Sequence, residues 1–181
     1  MKESIFQTEV KYSIIEQGGW CEKFPDMPKF PGQSRFIPTK PFDLIGIWDS
    51  IPFAIECKMS TTYKAFAQTE MRNKQSESLD KFQEAGGYSF IFLNVRSNRK
   101  IKPYRNNLII LPWTSLKEMW KLGSIKKPNL MEMDVVKGKL KRFNMDTLYH
   151  LLSSEMSEDE EYAKYYTTYN NFIKPGDGFE M

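Results

Sequence analysis

Apolar positions along this chain recur at two periods, and the switches between them mark its elements. Over residues 3–17, Ile5, Phe6, Val10, Ile14 and Ile15 fall at helical spacing and stop at Gly18-Gly19, which predicts an amphipathic helix with a glycine end. Trp20 to Phe24 reads as a short strand. Pro25 to Pro41 holds five prolines and reads as an extended arm. Two apolar runs, 42–48 and 51–59, flank Asp49-Ser50 and predict an antiparallel hairpin, with Pro52 turning its missing N–H toward an edge or the turn. The polar stretch 63–85 predicts one or two helices, with Leu79, Phe82 and Ala85 as its apolar face and Gly86-Gly87 as its end. Residues 88–95 and 107–111 read as buried strands, and 112–122 as a short helix carrying Trp113, Leu116, Met119 and Trp120. A last amphipathic helix spans 145–152. The order is that of a small α/β core.

Chemistry enters on the second hairpin strand. Side chains alternate across a strand, so Ile51, Phe53, Ile55, Cys57 and Met59 make one apolar face and Glu56 and Lys58 share the other. Asp43 opens the first strand, and a tight turn at Asp49 brings it across the ladder to Glu56. Two carboxylates that close repel unless a cation lies between them. Hard divalent ions favour such oxygen sites, and the carbonyl of Cys57 can complete the shell. Lys58 can steady an attacking water and offset developing negative charge. A Glu-x-Lys pair alone is more often an exposed face with a weak ion pair. Its combination with Pro-x-Asp and an apolar hairpin is much rarer, and favours a magnesium-dependent phosphodiester hydrolase.

Composition removes several alternatives. The 181 residues, 40% hydrophobic, suffice for one well-buried domain, which we expect to be a core over 1–125, including the arm at 25–41, with 126–181 as an extension packed on it. Cys21 and Cys57 lie in no metal-ligand or redox spacing and His150 is the single histidine, which argues against zinc, a Cys–His nucleophile and histidine-based chemistry. No apolar run reaches the length of a membrane span, and the N-terminal residues lack a signal-peptide pattern, so a cytoplasmic location is expected. The net charge of +3 hides an uneven distribution. Acid concentrates at Ser154–Glu161, while bases cluster at Lys23–Lys40, Arg96–Arg105 and Lys137–Arg142, a pattern that suits a polyanion once other features call for one.

Pro41-Phe42-Asp43 with Glu56-Cys57-Lys58 resembles the PD-(D/E)xK nuclease signature. Phe6-Gln7-Thr8-Glu9-Val10, followed by Ile14-Ile15-Glu16-Gln17-Gly18-Gly19-Trp20, is similar to the opening helix of cellular Holliday junction resolvases, with Glu9 matching a helical glutamate of the metal site. The RecU-type branch is resembled by Thr39-Lys40-Pro41-Phe42-Asp43-Leu44-Ile45-Gly46, by Asn73-Lys74-Gln75, by Gly86-Gly87 before a hydrophobic strand and by Leu111-Pro112-Trp113. The likeness covers roughly residues 3 to 122. It implies a restriction-endonuclease-like α/β core, a mixed central sheet flanked by helices. It also implies a metal-dependent, structure-selective endonuclease. Glu9, Asp43, Glu56 and the Cys57 carbonyl would hold Mg²⁺, with Mn²⁺ as a substitute. Lys58 and a glutamine, Gln75 in preference to Gln68, would join Glu9, Asp43 and Glu56 in catalysis. Lys29, Arg35, Lys40, Lys64, Arg72 and Lys74 would contact phosphates of branched or double-stranded DNA, and symmetric cleavage implies a homodimer. The chain departs from the RecU pattern between the first helix and Asp43, where a short proline-rich segment replaces a projecting stalk, and after Gly123, where no feature matches. Two other readings share the fold: a phage or mobile-element nuclease of duplex or flap DNA, and a non-catalytic DNA-binding module.

Overall fold

The computed structural model describes residues 3–25, 40–97, 105–126, 136–137 and 142–153. In chain order they form α1 (Glu3–Glu16), β1 (Trp20–Lys23), β2 (Leu44–Trp48), β3 (Ile51–Ser60), α2 (Asn73–Glu84), β4 (Tyr88–Arg96), β5 (Asn106–Pro112), α3 (Trp113–Lys121), β6 (Val136–Lys137) and α4 (Asp146–Ser153). The six strands make one sheet in the order β1-β2-β3-β4-β5-β6. Every neighbouring pair is antiparallel except β3–β4, so the sheet is mixed, as anticipated. A parallel pair needs a crossover, and α2 supplies it, which seats this helix against the sheet beside β3 and β4.

The hairpin turns on Asp49 and Ser50, whose φ angles of 48° and 68° are both left-handed, as a two-residue turn between twisted strands requires. Pro52 pairs with Ile47 next to that turn. Between β3 and α2 the polar stretch holds one short 3-10 turn, Gln68–Glu70, in place of a second helix. Phe66 there exchanges two backbone hydrogen bonds with Ile125, and this bridge keeps the segment extended.

Strand alternation gives the sheet two apolar faces. Phe53, Ile55, Cys57, Phe90, Phe92, Leu108 and Ile110 pack with Phe6, Val10 and Ile14 of α1 and with Leu148, Leu151 and Leu152 of α4. Ala54, Ile91, Leu93, Val95, Ile109 and Leu111 face Leu79 of α2 and Trp113, Leu116, Met119 and Trp120 of α3. Residues 142–153 are stitched to α1. Ser13 Oγ accepts from the Phe143 N–H (3.0 Å), Gln17 Oε1 accepts from the Met145 N–H (2.8 Å), and Gln17 Nε2 donates to the Phe143 carbonyl (2.9 Å). The acidic stretch 154–161 lies outside the described residues.

Candidate active site

The hairpin register decides where the two motif carboxylates meet. Leu44 lies opposite Ile55. One residue earlier, the Asp43 N–H donates to the Ile55 carbonyl (3.1 Å) and Asp43 Oδ2 accepts from the Cys57 N–H (2.8 Å), so Asp43 is fastened to the residues on both sides of Glu56. Asp43 and Glu56 are each only 1% exposed. Lys40 Nζ stands 2.6 Å from Asp43 Oδ1 as a counter-ion.

Glu56 is held by the crossover helix as well as by its own strand. Its Oε1 accepts from Lys58 Nζ (2.8 Å) and from Gln75 Nε2. Gln75 occupies the first turn of α2, where its Oε1 accepts from the Arg72 N–H (3.2 Å) and from Lys58 Nζ (3.3 Å). The ammonium of Lys58 is thus fixed between a strand carboxylate and a helix amide. Glu56 Oε2 is buried and has no hydrogen-bond partner.

Burial pushes the Glu56 pKa up to about 7, repulsion from Asp43 adds to the rise, and Lys58 opposes it. Glu3, at the exposed start of α1, is also raised, first by the protein crowding around it and then by Asp43, against the pull of Lys58, Lys40 and Arg72.

These groups line one cleft of about 520 Å³ together with Gln7, Lys64, Glu70 and Arg72. Among the described residues, no group of three or more His, Cys, Asp or Glu side chains is arranged to hold a metal ion. The cleft nonetheless fits a hard divalent cation on its donor chemistry. Two carboxylates lie side by side in it, and two buried oxygens, Glu56 Oε2 and Gln7 Oε1, lack any partner there.

The structure does not bring Glu9 into this cleft. Its carboxylate pairs with Arg96 of β4, both groups nearly fully buried, and Arg96 Nε also donates to Asn106 Oδ1 (2.7 Å). Arg96 extends from the sheet face that packs on α1, the face opposite Glu56. At about 100° per residue, Gln7 and Glu9 flank the apolar stripe of Phe6, Val10 and Ile14 on opposite sides. The Gln7 flank looks into the cleft, where Glu3 and Ser4 join it, and the Glu9 flank looks onto Arg96. Sequence reasoning missed Gln7. Its signal was a polar residue beside Phe6 and Val10 on the buried face.

Of the other anticipated residues, Cys57 turns its thiol into the apolar core on the α1 side, where burial drives its pKa well up, so only its backbone is near Asp43. Lys64 and Arg72 line the cleft, with Lys64 paired to Glu70 (2.8 Å). Lys74 is exposed on the first turn of α2, outside the cleft lining. Lys29 and Arg35 lie outside the described residues.

A buried Asp-Glu pair beside the partly buried Lys58, held where a hairpin meets a crossover helix on a mixed sheet, is the arrangement expected of the restriction-endonuclease-like fold class. The sequence matches the family described as RecU, Recombination protein U, over residues 33–153, and the chain belongs to this family of Holliday junction resolvases. No curated protein matches it. Among solved structures, the Holliday junction resolvase Hjc of the archaeon Archaeoglobus fulgidus aligns with a TM-score of 0.42 and 13% identity, over 68% of this chain and 94% of that one. The family match runs through α4, beyond the point where the sequence resemblance ended, and begins after α1 and β1.

Proposed function

We propose that the chain is a Mg²⁺-dependent endonuclease that cuts branched DNA, four-way junctions foremost, with Mn²⁺ able to replace Mg²⁺. The observation that carries this reading is the unpartnered Oε2 of Glu56 beside Asp43, with Lys58 fixed within hydrogen-bond reach of the same carboxylate. Asp43 and Glu56 would hold the cation, with the Cys57 carbonyl as a backbone contributor. Bound there, a divalent ion supplies positive charge for the scissile phosphate and makes water a stronger nucleophile at neutral pH.

The chain's own residues do the rest. Lys58, steadied by Gln75, orients the attacking water and meets the negative charge that grows on the phosphate oxygens as the P–O bond to the leaving strand breaks. Gln75 acts through Lys58 and Glu56 as a positioning residue. Lys64 and Arg72 on the cleft wall and Lys74 beside it hold the phosphate backbone, which fixes the duplex without reading its sequence. Lys40 neutralises Asp43. Cutting two strands symmetrically calls for a twofold dimer, and a cytoplasmic location gives access to DNA. Among the described residues no helix is long and apolar enough to cross a membrane.

The test is a cleavage assay with Mg²⁺ or Mn²⁺ on a mobile four-way junction. Asp43→Asn and Lys58→Ala should each lower the cleavage rate by about a hundredfold or more while the protein still binds the junction. A wild-type protein that cuts neither branched nor linear DNA, or variants as active as it, would refute the enzyme reading.

A further inference from the structure

The cleft has a helical wall that the motif residues do not explain. Glu3, Ser4 and Gln7 reach it from α1, a helix that the family match does not cover. Three buried polar side chains lie on this helix, and two of them are satisfied. Glu9 pairs with Arg96, and Ser13 Oγ donates to the Glu9 carbonyl (2.7 Å) while accepting from the Phe143 N–H. Gln7 differs. It is 3% exposed, its Oε1 has no hydrogen-bond partner, and it faces the cleft that holds a second orphaned oxygen, Glu56 Oε2; the third among the described residues, Asn94 Oδ1, lies outside the cleft lining.

Burying an amide oxygen without a partner is unfavourable, and an apolar side chain beside Phe6 and Val10 would avoid that penalty. A ligand that takes up both orphaned oxygens of the cleft removes the conflict. We infer that Gln7 Oε1 is a neutral ligand of the divalent cation, joining the carboxylates of Asp43 and Glu56 from α1. Amide oxygens are ordinary ligands for hard cations. A neutral one suits this cleft, because Glu3 already adds acid at its mouth and a third inner carboxylate would add repulsion to Asp43 and Glu56. The inference rests on the metal-dependent reading above.

The test measures Mn²⁺ binding directly, by electron paramagnetic resonance and calorimetry on the full chain, with no DNA present. Gln7→Met keeps the bulk and removes the amide; Gln7→Asn keeps the amide but shortens its reach. Both should weaken Mn²⁺ binding by about tenfold or more, a loss that even outer-sphere partners of a metal produce when removed. Gln7→Glu, which keeps an oxygen at full reach despite the added repulsion, should bind Mn²⁺ more tightly than Gln7→Met. The metal-free melting temperature of Gln7→Met should equal or exceed that of the wild type, since the orphaned oxygen is gone, while the rise in melting temperature on adding Mn²⁺ should shrink. Wild-type Mn²⁺ affinity in Gln7→Met or Gln7→Asn would overturn the inference, as would a Gln7→Glu variant as weak as Gln7→Met. Asp43→Asn separates this failure from that of the underlying reading. If Asp43→Asn binds Mn²⁺ as the wild type does, the metal site itself is wrong; if it alone loses binding, only the role of Gln7 is.

Discussion

Glu56 joins local electrostatics to a measurable pH dependence. In the metal-free fold, burial and Asp43 disfavour its ionised form, so the folded protein keeps a proton on Glu56 up to about pH 7, whereas an unfolded chain releases it near the ordinary carboxyl value of 4.5. The folded state therefore binds more protons across this window, and stability falls as pH rises through it. The loss should reach about 3 kcal/mol between pH 4.5 and 7 and level off above, as urea unfolding in chelator would show. Glu56→Gln should flatten this profile. A metal-free protein that grows more stable over the same range would contradict the assignment. Glu9 makes the opposite case, a carboxylate with its partner. Glu9→Ala removes the carboxylate that balances the Arg96 charge in the core and should reduce stability by about 3–5 kcal/mol. Its Mn²⁺ affinity, measured on the folded fraction, should match the wild type. The sequence showed both glutamates as polar residues beside apolar ones, and only the register of α1 against the sheet separates cleft from core.

The hairpin is the element that carries the site, and its parts were legible because period-2 alternation and a two-residue turn are local signals. Neither Asp49 nor Ser50 is a glycine, yet both hold left-handed φ angles. Ser50→Gly should raise stability by about 0.5–1 kcal/mol, read as a higher melting temperature. Gly46 works the other way. A Cβ there would lie 2.5 Å from the Trp20 carbonyl oxygen and would also strike the Phe53 ring. A backbone atom cannot give way cheaply, so Gly46→Ala should destabilise by about 1–3 kcal/mol and slow cleavage by shifting Asp43 against Glu56. Gln75 was less legible. Many polar residues crowd the start of α2, and its place between Lys58 and Glu56 depends on the crossover geometry, which spacing alone does not give. Glu3 and Gln7 were hidden for a related reason, since α1 buries polar residues on its apolar side and its pattern does not announce a site.

Across the whole molecule, mild net positive charge becomes useful through its placement. Lys64 and Arg72 line the cleft and Lys74 stands exposed near it, whereas Lys40 is committed to Asp43. Replacing Lys64 or Arg72 with alanine should weaken junction binding and reduce the slope of log affinity against log salt by about one each. Lys40→Ala should leave that slope nearly unchanged, as fluorescence anisotropy over a salt series can check. The mixed sheet accounts for how the cleft is built, and the chemistry we propose for Asp43, Glu56 and Lys58 for how a phosphodiester would be cut. The most direct test of both together compares cleavage of a mobile four-way junction with that of a linear duplex of the same sequence, in Mg²⁺, at equal protein concentration. We predict that the junction is cut faster, by paired incisions that vanish in Lys58→Ala; equal rates on the two substrates, or incisions that persist without Lys58, would contradict the account.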